Sequence, residues 1–187
     1  MRIARPFAAA ALSLLCCAVA AIRPPNLIDD PSAWRVVNDG VMGGASSSRI
    51  GRAGDALRFA GEVSLANNGG FASMRRPFDA GGGDAPGWLV RARGDGNRYR
   101  LRVYTRDAAG GENGYSHYAV FDTRAGEVTE VELRWPRFAA SFRGRAVDAP
   151  PIRFAEVTGV GVMITREDHR EGRGPFALDL LAIVPLR

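Results

Sequence analysis

Histidine, serine, cysteine and the carboxylates are the side chains that could do metal, covalent or acid–base chemistry, and their spacing here argues against each. The chain of 187 residues has two histidines, His117 and His169. They form no HxH or HExxH arrangement, so the usual two-histidine metal face is missing. Ser46-Ser47-Ser48 supplies hydroxyls without a GxSxG elbow to activate one. Asp39 and Asp95 sit in the turn-forming runs Asn38-Asp39-Gly40 and Gly94-Asp95-Gly96, where a carboxylate commonly bonds neighbouring backbone amides. A carboxylate pair for glycoside hydrolysis is defined by a separation in space, which a sequence does not display. Both cysteines, Cys16 and Cys17, lie in an N-terminal apolar run. No enzymatic activity, metal or cofactor is expected.

Binding chemistry is better supplied. Asn38, Asp39, Asn67, Asn68, Arg75, Tyr115, Arg143 and Arg145 fall in or near predicted loops. Hydrogen-bonding and stacking groups of this kind suit a sugar or a protein surface, and sandwich loops cluster at the two ends of the fold. Arg93-Gly94-Asp95 spells an adhesion tripeptide. Within RARGDGNRYR it is expected instead to form a tight hairpin between two strands.

The elements that must position these groups read as strands. The stretch Trp34 to Ser48 opens with Trp34, Val36 and Val37 and then breaks into turns around Val41 and Met42. An apolar pair inside such a loop either plugs the core or presents a tip to a partner; the plug is expected, because Met fills irregular gaps. Leu57 to Leu65 alternates, with Leu57, Phe59, Val63 and Leu65 on one face. Asn67-Asn68-Gly69-Gly70 is a turn, and Phe71 to Arg75 resumes an extended segment. Trp88 to Arg93 is the next strand. Arg98 to Arg106 alternates Tyr99, Leu101, Val103 and Thr105 with a mostly arginine face, the pattern of a half-buried antiparallel strand. Further strands are predicted at Ser116–Asp122, Val128–Trp135, Gly159–Thr165 and Phe176–Val184. Pro136 to Pro151 reads as a long connection, and Arg166 to Gly174 as a charged hairpin-like loop. No capped apolar helical stripe interrupts them, so the fold class is all-β, an antiparallel sandwich of jelly-roll type.

The N-terminus carries an address. Arg2 and Arg5 precede an apolar run ending in Ala18, Ala20 and Ala21, the layout of a secretion signal. The uncharged run from Phe7 to Ile22 is shorter than the ~20 residues that span a bilayer comfortably. Residues 1–21 are therefore expected to be a signal peptide. Residues 22–187 then form a single domain, exported to a periplasmic or extracellular space, with no transmembrane span. Leu15 before Cys16 argues against a lipid anchor, and the mature chain would hold no cysteine and no disulfide. The net charge is +5, made entirely of arginine with no lysine. Removing Arg2 and Arg5 leaves 23 arginines against 20 acidic residues, a net of about +3. That is too modest and too scattered for nucleic acid.

Four segments, WRVVNDGVMGG, FAGEVSLANNGGFASMR, RARGDGNRYRLRVYTR and FAASFRGR, resemble in order and spacing the complex I intermediate-associated protein 30 family. The resemblance spans about Trp34 to Val184. It implies a galactose-binding-like jelly roll, and its mitochondrial members act as assembly chaperones of respiratory complex I. It carries over no catalytic residue. The binding candidates at family-motif positions are Asn38, Asp39, Met42, Asn68, Arg75, Asp95 and Arg143. The expected function is a non-enzymatic exported binding module, an assembly factor for a membrane complex with a protein partner; the alternative is a carbohydrate-binding module with a glycan partner.

Overall fold

Period-two alternation materialises as twelve strands in the computed structural model, which describes residues 25–106 and 114–187. The strands are β1 (Arg35–Val36), β2 (Ser47–Ala53), β3 (Ala56–Val63), β4 (Phe71–Pro77), β5 (Gly87–Arg93), β6 (Arg98–Thr105), β7 (Ser116–Asp122), β8 (Val128–Arg134), β9 (Ala139–Phe142), β10 (Arg145–Ala146), β11 (Val157–Thr165) and β12 (Gly174–Pro185). The expected signal, residues 1–21, lies outside the described residues.

Two antiparallel sheets face each other. One has seven strands in the order β1-β4-β11-β6-β7-β9-β10, the other five in the order β2-β3-β12-β5-β8. The expected all-β sandwich is what forms. Inward residues of both sheets make one core, with Leu57, Phe59, Met74, Trp88, Leu101, Ile164, Leu178 and Ile183 fully buried. Burial of such side chains contributes about 1.5–3 kcal/mol each relative to exposure. On β6 the alternation is as read: Tyr99, Leu101, Val103 and Thr105 are buried and the arginines point outward.

Five expectations need correcting. Met42 does not plug the core; Val41 and Met42 are 73% and 61% exposed at the end of a short helical turn, Asp39–Met42. Leu65 is exposed because β3 ends at Val63 and the chain turns away. Arg93-Gly94-Asp95 does not lie in a hairpin, because β5 and β6 belong to different sheets and the turn carries the chain between them. Arg166 to Gly174 makes the same kind of crossing, from β11 to β12. The Pro136 to Pro151 connection holds β9 and β10, a true hairpin closed by Arg143-Gly144. β2 is also additional to the reading. β2, β9 and β10 lie at or next to sheet edges and bury few side chains, so they leave little apolar pattern.

Candidate functional site

Asp39 holds the loop that the chain is organised around. Its buried carboxylate accepts hydrogen bonds from the Ser46 amide (2.9 Å) and hydroxyl (2.5 Å) through Oδ1 and Oδ2, and from the Gly70 and Phe71 amides at 2.7 and 3.2 Å through Oδ2. Burial by itself would raise this carboxyl, but the hydrogen bonds from Ser46, Gly70 and Phe71 outweigh it and hold the group below its ordinary value. The backbone must come very close: a Cβ on Gly44 would stand 2.4 Å from the Asp39 Cγ. Asn67 and Asn68 adopt left-handed conformations, φ 55° and 59°, and the Asn67 side chain donates to the Gly43 carbonyl. The two turns are thus stapled together, and they lift Val41 and Met42 above the outer face of the seven-stranded sheet.

That outer face is a groove of about 730 Å³. Its floor is set by register. One row reads Ser73, Met163, Arg100, Val120 across β4, β11, β6 and β7; the next reads Arg75, Gly161, Arg102, Tyr118. With strands ~4.8 Å apart, four of them make a floor roughly 15 Å across. Gly159 and Gly161 leave β11 low, so the Tyr104 ring lies across it; a Cβ on Gly161 would be 3.4 Å from that ring and 2.9 Å from the Met74 carbonyl oxygen. The Arg75 and Arg102 guanidinium carbons each lie 5.2 Å from the Tyr104 ring centroid, and that of Arg100 lies 4.9 Å from the Tyr118 centroid. Cation–π contacts of this kind contribute about 0.5–2 kcal/mol, more as water is excluded.

The walls are loops. Val41, Met42 and the Asn68–Phe71 turn rise on one side, and Phe142, Arg143 and Gly144 on another, with Arg166 and Glu167 closing an end. Arg143 occupies a left-handed conformation, φ 49°, before Gly144 at φ 79°. These are the angles of the tight hairpin turn that favours Asn-Gly, and a long side chain there is strained by about 1–2 kcal/mol.

Charge is concentrated in the groove. Among the described residues, Arg75, Arg100, Arg102, Arg143 and Arg166 line it against one acidic side chain, Glu167. Arg100 is neutralised from below by the buried Asp168 carboxylate, 2.5 Å away, and Arg166 pairs with Glu167 at 3.0 Å. Arg102 instead donates to the Ser116 hydroxyl. Burial, together with the neighbouring Arg35 and Arg102 cations, pulls the Arg75 guanidinium below its ordinary value, while Tyr104 opposes the shift. Among the described residues no group of three or more His, Cys, Asp or Glu is placed to hold a metal. A smaller hollow of about 360 Å³ between Asp122–Arg124 and Glu127–Glu130 is a polar turn without an aromatic floor.

The profile of the complex I intermediate-associated protein 30 family matches residues 23–180. The chain belongs to that family. No curated protein sequence matches the chain directly. Among solved structures, the family 11 carbohydrate-binding module of the cellulosomal cellulase Lic26A-Cel5E of Clostridium thermocellum is similar, with a TM-score of 0.62 at 12% identity, over 89% of this chain and 96% of that one. The Clostridium thermocellum family 11 module in complex with a β-1,3-1,4-mixed-linked tetrasaccharide has a TM-score of 0.56 at 11% identity, over 82% and 89%. The agarase AgWH50C has a TM-score of 0.52 at 11% identity, over 84% of this chain and 23% of that one. At such identities the likeness carries the fold, a β-sandwich jelly roll.

The candidate residues of this family member divide into two sets. Met42, Asn68, Arg75 and Arg143 line the groove. Asn38 lies beneath it, its side-chain oxygen accepting from the Ser48 hydroxyl and the Ser73 amide. Asp39 is the staple described above. Asp95 is consumed by its turn, accepting from the Asn97 amide and side chain, the Tyr99 hydroxyl and the Ala177 amide. Burial pushes that Tyr99 hydroxyl well above its ordinary value, so it stays a donor. Tyr115 packs edge-on against His117, and neither lines the groove. Sequence reading missed Tyr104, Ser73, Met163, Phe142, Arg166 and Glu167 as groove residues. It had marked the outward arginines of β6 without a destination; their period-two alternation was the available signal.

Proposed function

We propose that this family member is a non-catalytic, exported binding module whose outer-face groove holds a glycan. The observation that carries the reading is the groove itself. Tyrosine rings and fixed hydrogen-bonding side chains converge on a floor roughly 15 Å across, on a rigid sheet and not on a flexible loop. Such a floor suits a chain of hydroxylated rings, with an apolar ring face on Tyr118 and hydroxyls at Asn68 and the guanidinium groups. The solved tetrasaccharide complex on a similar fold supports the choice of ligand class. The test is calorimetric titration of the full chain against a panel of neutral and acidic polysaccharides. Binding to at least one, weakened by Tyr118→Ala at unchanged melting temperature, is the expected result. A panel with no ligand would overturn the glycan reading. Export is checked by N-terminal sequencing of the chain recovered outside the cytoplasm, with processing near Ala20 or Ala21 expected.

A second reading, an assembly factor with a protein partner, is favoured by the exposed apolar rim of Val41, Met42 and Phe142. Its test is capture of membrane-complex subunits from an envelope extract, lost in Met42→Ser.

A further inference from the structure

We infer that the glycan taken by this groove is anionic, a chain bearing carboxylate or sulfate groups; this rests on the glycan reading above. Among the described residues, five arginines line the groove against one acidic side chain, Glu167. Two of these cations, on Arg100 and Arg166, are answered by Asp168 and Glu167. Arg102 and Arg143 have no carboxylate within ion-pair distance among the described residues: Arg102 bonds the Ser116 hydroxyl and approaches the Met163 sulfur, and Arg143 lies over the Phe142 ring. Arg102 is also held firmly, with its guanidinium 5.2 Å from the Tyr104 centroid, the same distance as that of Arg75.

A neutral glycan would leave the Arg102 and Arg143 cations partly desolvated with no counter-charge, which is costly. A carboxylate or sulfate set near Tyr104 meets the Arg102 guanidinium, whose planar fork of donors suits such groups. Arg143 contributes the same charge from the rim, and keeps it there at the cost of an unfavourable backbone conformation.

The experiment compares binding of the full chain to polygalacturonate and to its methyl ester, which share a backbone and differ in charge, and to dextran and dextran sulfate. The variants are Arg102→Gln, Arg143→Asn and, as a control on the other sheet, Arg49→Ala. Binding to the polyuronate or the sulfated chain, absent for its neutral counterpart and weakened about tenfold or more by Arg102→Gln, is the expected result. Which of the two acidic chains binds identifies the anion. Arg49→Ala should bind as the parent chain does. Because Arg102 is partly buried, Arg143→Asn at an exposed turn provides the variant whose folding is not in question, and it should weaken acidic binding as well. Equal binding of charged and neutral chains would overturn the inference while leaving the glycan reading intact. Equal weakening by Arg49→Ala and Arg102→Gln would also overturn it, as general charge attraction. Failure of every glycan would overturn both readings, and binding to polyglutamate alone would assign the groove to an acidic protein.

Discussion

Replacing Asp39 by Asn removes one charge and almost no volume, so it isolates the carboxylate that staples the two loops. Four hydrogen bonds converge on it, from the Ser46 amide and hydroxyl and from the Gly70 and Phe71 amides. An asparagine has one oxygen to offer. Its better orientation keeps that oxygen toward Gly70 and Phe71 and turns the NH₂ group against the Ser46 amide. One buried backbone donor then loses its acceptor, at about 1–3 kcal/mol. The bonds that survive fall from charge-assisted to neutral strength, roughly halving each. Together these give a loss of about 3 kcal/mol. At ~2–4 °C per kcal/mol for a domain of this size, the melting temperature should fall by roughly 6–12 °C. Thermal unfolding at neutral pH followed by circular dichroism, with a urea titration for the free energy, measures it. The folded fraction should still bind ligand, because Asp39 does not line the groove. A fall below about 2 °C would refute the staple.

The same group makes the fold sensitive to acid. Its carboxyl is held below the ordinary value, so its contribution is complete above the unfolded value of about 3.9 and is lost as pH falls through the lower folded value; the parent chain should lose melting temperature below about pH 4 more steeply than Asp39→Asn does. Arg143→Asn relieves the strained turn and should raise stability by about 0.5–1 kcal/mol in a urea titration, while weakening ligand binding; a loss of stability would contradict the strain argument. Met42→Ser, at an exposed position, should leave stability within about 0.5 kcal/mol, and a larger drop would show that the side chain is buried in solution.

The four motif segments made the family legible, and local pattern made most strands legible, because side-chain direction alternates with every residue of a strand whatever its neighbours are. Alternation on β6 separated Tyr99, Leu101 and Val103 from Arg98, Arg100 and Arg102 before any tertiary contact was known. The turns at Asn67-Asn68 and Gly43-Gly44 were equally local, since those residues tolerate left-handed backbone. Three strands with few buried side chains escaped, because burial is what writes the apolar pattern. The fate of Met42 was not local either: an apolar residue in a loop serves a core or a surface, and the position of its stapled neighbour decides which. Only the tertiary structure decided the groove. Arg75, Arg102, Tyr104 and Tyr118 come from three strands, and the glycines that let the Tyr104 ring lie across β11 sit on a fourth. Their meeting depends on β11 inserting between β4 and β6. That pairing is set by the register of residues distant along the chain, and no local window of the sequence contains it.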